Sequence, residues 1–297
     1  MKQDAFREYH PLVNFAYFSF VLGFAMTLNH PAAQFIALIC AAAYAVQTEG
    51  IKAVKFMIKY SLPLLLLTAF INPAFNHSGV TILCYLPTGN PLTLESILYG
   101  LSAGMMLVTV LLWFVSFNRV MTSDKFVYLF GRLIPALSLV LSMTLRFVPK
   151  FKSQFETVRE AQKCIGRDVS NGSLFARMKN AVTVISIMVT WSLENAIETA
   201  DSMKSRGYGL KGRTAFSIYR FDERDRNMLC MILFCGIYLV IGSFANGLAF
   251  RYFPSIRCIS ANALTVSFQV IYFVLCIIPM IVNRMEARKW TALRSKI

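Results

Sequence analysis

Five stretches of this chain carry no Asp, Glu, Lys or Arg: residues 9–48, 60–94, 96–118, 227–250 and 258–283. A helix of about 20 apolar residues covers the hydrocarbon core of a bilayer, so each run is long enough to cross. The first can cross twice if it turns at Asn29-His30-Pro31, where proline removes a helix donor. Six membrane helices are thus predicted, near 12–28, 32–48, 60–75, 96–117, 228–250 and 263–283. Only 15% of the 297 residues are charged, against roughly 25% in soluble domains, which argues against an ordinary soluble globule and against disorder.

The remaining charge is lopsided, with 30 Lys+Arg against 15 Asp+Glu. Positive loops tend to stay cytoplasmic. Lys52, Lys55 and Lys59 follow the second span, and Arg284, Arg288, Lys289, Arg294 and Lys296 follow the last. Residues 76–93 are uncharged and contain Pro87, Gly89 and Pro91. Both termini are therefore expected on the cytoplasmic side of a cell membrane, with 76–93 outside and Arg251 and Arg257 a mild exception in the last external loop. A cleaved leader is disfavoured because Asp4 and Glu8 dilute the positive opening. The seven cysteines show no paired metal or redox spacing, although Cys84 and Cys258 share the expected outer side.

Between the fourth and fifth runs the pattern changes, dividing the chain into membrane helices over 1–118, a cytoplasmic or juxtamembrane region over 119–226, and membrane helices with a basic tail over 227–297. Residues 146–226 hold fifteen Lys+Arg and nine Asp+Glu, too many to cross a bilayer. They are also periodic. Phe147, Phe151, Phe155, Val158, Gln162 and Ile165 recur at three- and four-residue steps, apolar except for Gln162, and mark one helix face. The other face can pair Lys152 with Glu156, Glu156 with Arg159 and Glu160 with Lys163. Gly166 is the expected end.

A second amphipathic helix is predicted over 193–206, with Leu193, Ala196 or Ile197, Ala200 and Met203 on one side and Glu194, Glu198, Asp201 and Ser205 on the other. Gly207 supplies a left-handed cap, and Arg206 faces the negative end of the helix dipole. The uncharged run 180–193 is short for a crossing and suits a buried helix. Residues 126–145, interrupted by Arg132 and Pro135, suit a helix along the surface or under the spans, with a kinked crossing as the alternative and Ser123-Asp124 as its cap. The bland account of both charged helices is a pair of solvated loops with arginines on lipid headgroups.

The arrangement resembles the transmembrane T component of energy-coupling factor transporters, the EcfT or CbiQ family. The residues that carry the likeness are His10-Pro11-Leu12, then Leu145-Arg146-Phe147-Val148-Pro149 followed by Glu156 and Ala161-Gln162, and finally Ala200 through Gly209. The resemblance implies an all-α polytopic protein whose two cytoplasmic coupling helices each end in an Ala-Arg-Gly-like triplet that engages one of two ATPase subunits. Ser205-Arg206-Gly207 matches with serine for alanine. The first triplet departs: Ile165-Gly166-Arg167 stands where the pattern puts Arg-Gly at 165–166, leaving Arg167 as the substitute and Lys163 as the fallback. A two-residue shift turns a side chain by about 200° on a regular helix, so the substitution requires that the helix end near Gly166. Arg146, Pro149, Glu156, Ala161, Gln162, Ala200 and Met203 are implied to support the two ends.

The implied role is a non-catalytic subunit that relays ATP-driven motion to a separate substrate-binding membrane subunit, for uptake of a vitamin or a transition-metal ion. Lipid is the remaining partner. No Gly-x-x-x-x-Gly-Lys-Ser/Thr loop occurs, so no cofactor is expected on this chain and ATP falls to the partner subunits. The three histidines, His10, His30 and His77, are isolated and sit near membrane edges, where snorkelling outweighs metal ligation. Glu95 is read as a dipole partner of its span. A membrane enzyme acting on a lipid and a stand-alone secondary transporter are the competing classes. The first lacks a carboxylate cluster for a divalent ion, and against the second the spans contain almost no ionisable groups, Glu95 being the exception. Nucleic acid is discounted because the positive charge follows the membrane edges.

Overall fold

The computed structural model describes residues 4–85, 91–210, 219–244, 250–258 and 263–294, with backbone alone at 132–133, 135–138 and 257–258. The chain forms two compact units, one of Met1–Thr122 with Tyr219–Ile297 and one of Ser123–Ile218.

The first unit is a helical bundle. Helices α1 (Pro11–Thr27) and α2 (Pro31–Glu49) are followed by α3 (Ile51–Phe56), which runs through a π turn at Met57–Ser61 into α4 (Leu62–Phe75). A hairpin of β1 (Ile82–Tyr85) and β2 (Pro91–Thr93) leads into α5 (Leu94–Val120). After the second unit come α9 (Glu223–Phe244), a two-residue hairpin of β3 (Phe250–Arg251) and β4 (Arg257–Cys258), and α10 (Ala263–Arg294). Among the described residues, five helical segments are long and apolar enough to cross a membrane: Pro31–Glu49, Ile51–Phe75, Leu94–Val120, Glu223–Phe244 and Ala263–Arg294; Pro11–Thr27 is a shorter apolar helix.

Span ends differ from the charge-free runs. The third begins at Ile51, so Lys52, Lys55 and Lys59 ride on a helix, and α10 continues through Arg284, Arg288 and Arg294. Lys and Arg are good helix formers, and a charge that marks the edge of the hydrocarbon does not end a helix. Helix α9 begins at Glu223, ahead of 228, and Phe250 at the far end of the expected span lies in β3. Cys84 is an exposed free thiol, while the side chain of Cys258 lies outside the described residues, as does that of Arg132.

Both leading helices begin in the same way. His10 Nδ1 accepts the Leu12 N–H at 3.3 Å, and His30 Nδ1 accepts the Ala32 N–H at 3.2 Å, each with proline at the first helical position. Proline spends no donor there and the imidazole satisfies one orphan N–H, so these histidines cap helices instead of snorkelling. Glu95, 2% exposed, accepts the Thr81 N–H and hydroxyl, fixing the preceding loop onto α5.

Helices gain no hydrophobic energy by touching one another in lipid, so close packing and hydrogen bonds hold the bundle. Trp113 of α5 is fully buried and takes Tyr17, Phe18 and Tyr44 at ring distances of 6.1, 6.3 and 6.1 Å. Tyr17 donates to the Cys276 carbonyl at 3.2 Å, and Ser102 to Gln34 at 2.7 Å. Gly100 and Gly104 let α4 lie against α5: a Cβ at Gly100 would stand 3.0 Å from Asn72 Cβ, and one at Gly104 would collide with Thr68 Oγ1.

The second unit holds α6 (Ser123–Leu133), α7 (Pro135–Cys164) and α8 (Leu174–Ser205). Residues 126–145 are thus divided between two helices at Ile134. Ile134 leaves the helical region at φ −136° and ψ 90°, as the residue before a proline is pushed to do, and Pro135 opens α7. Ser123 is the first residue of α6 and not a cap outside it. The run 180–193 and the stretch 193–206 belong to a single helix of 32 residues. It is not buried: among its described residues Val184 alone is enclosed.

Candidate functional site

The two long helices of the second unit end alike. At the end of α7 the Gly166 N–H donates to the Lys163 carbonyl at 3.0 Å and the Arg167 N–H to the Gln162 carbonyl at 2.9 Å. At the end of α8 the Gly207 N–H donates to the Lys204 carbonyl at 3.0 Å and the Tyr208 N–H to the Met203 carbonyl at 3.0 Å. Both are Schellman caps, with the glycine in the left-handed region at φ 81° and 74°. The sequence folds this way because a Cβ in that region costs about 1–2 kcal/mol and glycine has none.

The shared cap fixes a residue-by-residue correspondence. Gln162 matches Met203, Lys163 matches Lys204, Cys164 matches Ser205, Ile165 matches Arg206, and Arg167 matches Tyr208. Ile165 and Arg206 also share a backbone conformation, φ −93° and ψ 15° against φ −82° and ψ 9°. The condition for Arg167 to stand in for an arginine at 165 is met in one respect, since the helix ends at Cys164, before it. Lys163, Arg167, Ser205 and Arg206 are exposed, and neither guanidinium has a hydrogen-bond or ion-pair partner among the described residues. Gln162 Oε1 is shielded from solvent and has no donor among the described residues.

Helices α7 and α8 meet through a contact that the sequence did not signal. The Phe151 and Trp191 rings stand edge to face at 5.2 Å, Lys150 Nζ lies 5.5 Å from the Trp191 ring centre, and the same ammonium donates to Asn195 Oδ1. Phe151 is fifteen residues before Gly166, and Trp191 sixteen before Gly207. At 1.5 Å per residue each cap stands about 23 Å from the contact. The two arms are equal in length to within one residue.

Of the supporting residues, Gln162 and Met203 provide the carbonyls that the caps use, and Ala161 and Ala200 lie on the last two turns of their helices. Pro149 sits inside α7 without ending it, near the crossing and one turn after Arg146. Glu156 lies five residues beyond the crossing, about a third of the way along the arm. The pairs anticipated on α7 are not formed: among the described residues the ion pairs are Arg119–Glu49, Arg226–Glu223 and Lys289–Glu286. An exposed pair gains little over the side-chain entropy it gives up. Nor does the apolar face of α7 become a core; Val158 is buried, but Phe155 and Ile165 are exposed. On α8, Leu174, Met178, Val182, Ile185, Val189, Leu193 and Ile197 form an exposed apolar stripe.

The linker is ordered by Asp168. Its carboxylate accepts the Ser170 N–H at 3.0 Å and the Ser170 hydroxyl at 2.7 Å, and its carbonyl accepts from Asn180 at 3.0 Å. These Ser170 bonds, with Lys163 and Arg159 nearby, hold the carboxyl below the usual aspartate range.

Apolar helices long enough to span a bilayer define a polytopic membrane protein, and its second unit carries two cationic, identically capped helix ends. The family model described as cobalt transport protein, CbiQ, matches residues 9–216. The chain is 32% identical over 213 residues to energy-coupling factor transporter transmembrane protein EcfT 1 of Listeria monocytogenes, covering 66% of this chain and 78% of that protein. It is 32% identical over 108 residues to the EcfT of Lactococcus lactis subsp. cremoris, 36% of this chain and 41% of that one. With the EcfT of Lacticaseibacillus paracasei it shares 37% over 93 residues, 31% of this chain and 35% of the other. The chain belongs to the EcfT/CbiQ family, the transmembrane components of energy-coupling factor transporters.

Proposed function

We propose that the chain is the non-catalytic coupling subunit of an ATP-driven importer. Two cytoplasmic ABC-type ATPase subunits bind and hydrolyse ATP, and each engages one capped arm. A substrate-binding membrane subunit receives the motion and takes up a vitamin or a transition-metal ion. Arg206, flanked by Ser205 and Gly207, serves the end of α8; Arg167 beside Gly166, with Lys163 behind it, serves the end of α7. Both chain termini lie on the ATPase side.

The observation that supports this reading best is the pair of identical caps on arms equal in length to within one residue. A two-fold pair of ATPases needs two similar handles, and a guanidinium without an internal partner offers a planar fork to a carboxylate or to backbone carbonyls. Helices joined near their middle through Phe151 and Trp191 would turn a change in ATPase spacing into a change in crossing angle. The exposed apolar stripe on α8 suits contact with the binding subunit.

The test is charge reversal at both arms. Arg167→Glu with Arg206→Glu should abolish co-purification of the ATPases, or leave hydrolysis running without uptake. Unchanged uptake by the double variant would refute the proposal.

A further inference from the structure

The last membrane helix carries a second cationic feature that the coupling role does not use. Residues 263–283 of α10 contain no charge. At 1.5 Å per residue these span about 31 Å, close to the hydrocarbon thickness, so Arg284 stands where hydrocarbon gives way to headgroups and Arg288 one turn further on. The face pointing into the bundle is fixed by Phe268, Tyr272, Leu275, Cys276, Pro279 and Asn283, all buried. Successive positions turn by 100°, which places Ile281, Arg284, Met285 and Arg288 on the opposite side of the helix, where all four are exposed. Higher on that side, Val266, Val270 and Val274 are also exposed.

A stripe of lipid-facing valines and isoleucine therefore ends in two arginines one turn apart. Among the described residues neither makes an ion pair, whereas neighbouring Lys289 holds Glu286 at 3.8 Å. We infer that this end of α10 binds an anionic phospholipid, with an acyl chain along Ile281 and Met285 and the phosphate on Arg284 and Arg288. The fork of each guanidinium matches phosphate oxygens bidentately. A zwitterionic lipid brings its own ammonium to the same place, so an anionic headgroup is the better complement.

The full chain is placed in nanodiscs of equal phosphatidylglycerol and phosphatidylcholine, and the lipids it retains on release are counted by native mass spectrometry. The wild type should retain phosphatidylglycerol over phosphatidylcholine on the order of tenfold, the preference should fall towards one in R284Q/R288Q, and R284K/R288K should keep part of it. Arg294→Gln, one and a half turns further out, should change it little. Unfolding temperatures measured alongside separate lost binding from lost folding. Equal retention of both lipids by the wild type overturns the inference, as does undiminished preference in R284Q/R288Q. Displacement of the lipid by soluble glycerol phosphate would show a free-phosphate site and overturn it too.

Discussion

The ends of α7 and α8 have the same backbone and different side chains. Each helix closes with the same two hydrogen bonds around a left-handed glycine. Yet the residue before the glycine is Ile165 in one and Arg206 in the other, and the residue after it is Arg167 in one and Tyr208 in the other. The cap is thus a fixed frame on which the arginine occupies either of two places. Ahead of the glycine it is the cap residue that follows the last helical one; behind it, it follows the left-handed residue. A guanidinium has a long stem, and the comparison asks whether its exact root matters or only its presence at a rigid end.

The strongest way to break that comparison is to rebuild one end as the other. Arg206→Ile alone should lower ATP-driven uptake more than tenfold. Adding Tyr208→Arg gives α8 the side-chain order of α7, and uptake should recover to within a few fold of wild type if an arginine after the glycine suffices. The converse exchange, Ile165→Arg with Arg167→Ala, should preserve uptake on the same logic. Failure of both exchanges, with the variants folded, would show that the root of the guanidinium matters as well as its presence, whereas unchanged uptake in Arg167→Ala alone would assign the first end to Lys163.

Next in size are the glycines themselves. Alanine at either forces a Cβ into a left-handed residue, at about 1–2 kcal/mol. At Gly166 nothing lies within 4 Å of the added carbon, but at Gly207 it would meet Leu210 Cδ1 at 3.0 Å. Gly207→Ala should therefore loosen its end more than Gly166→Ala, read as faster exchange of the Tyr208 amide relative to the Arg167 amide. Equal effects would show that backbone conformation alone sets the cost.

These ends were legible in the sequence because glycine is the one residue that takes positive φ without penalty, and an amphipathic run stopping at a glycine states where a helix ends. The spans were legible too, since a bilayer leaves no tolerance for charge over twenty residues. Where the spans end was not: Lys59 and Arg284 bound the charge-free runs, but their helices run past them. The crossing was also hidden. Phe151 and Trp191 are forty residues apart, and nothing in either helix names its partner; the run around Trp191 read as buried only because it lacks charge.

That crossing offers a smaller test that acts on both ends at once. Trp191→Ala removes one edge-to-face ring contact and the platform under Lys150, together worth about 1 kcal/mol at a partly exposed site. The arms should then vary independently: a distance measured between spin labels at Cys164 and at Ser205→Cys should broaden, while each end keeps its own amide protection. An unchanged distance distribution would mean that the rest of α7 and α8 holds the angle.

The smallest expected effect separates the ends by pH. The position after Arg167 is Asp168, whereas the matching one after Tyr208 is Gly209, at φ 95° and without a side chain. Ser170 holds the Asp168 carboxyl below its ordinary value, so the folded linker favours the carboxylate. Its contribution is complete above the unfolded pKa of about 3.9 and is lost as pH falls through the lower folded value. Protection of the Ser170 amide should therefore decline only below about pH 4, while that of Tyr208 stays level, and Asp168→Asn should remove the pH dependence. If both amides lose protection over the same range, the change belongs to the whole unit and the two ends are not distinguished by this carboxylate.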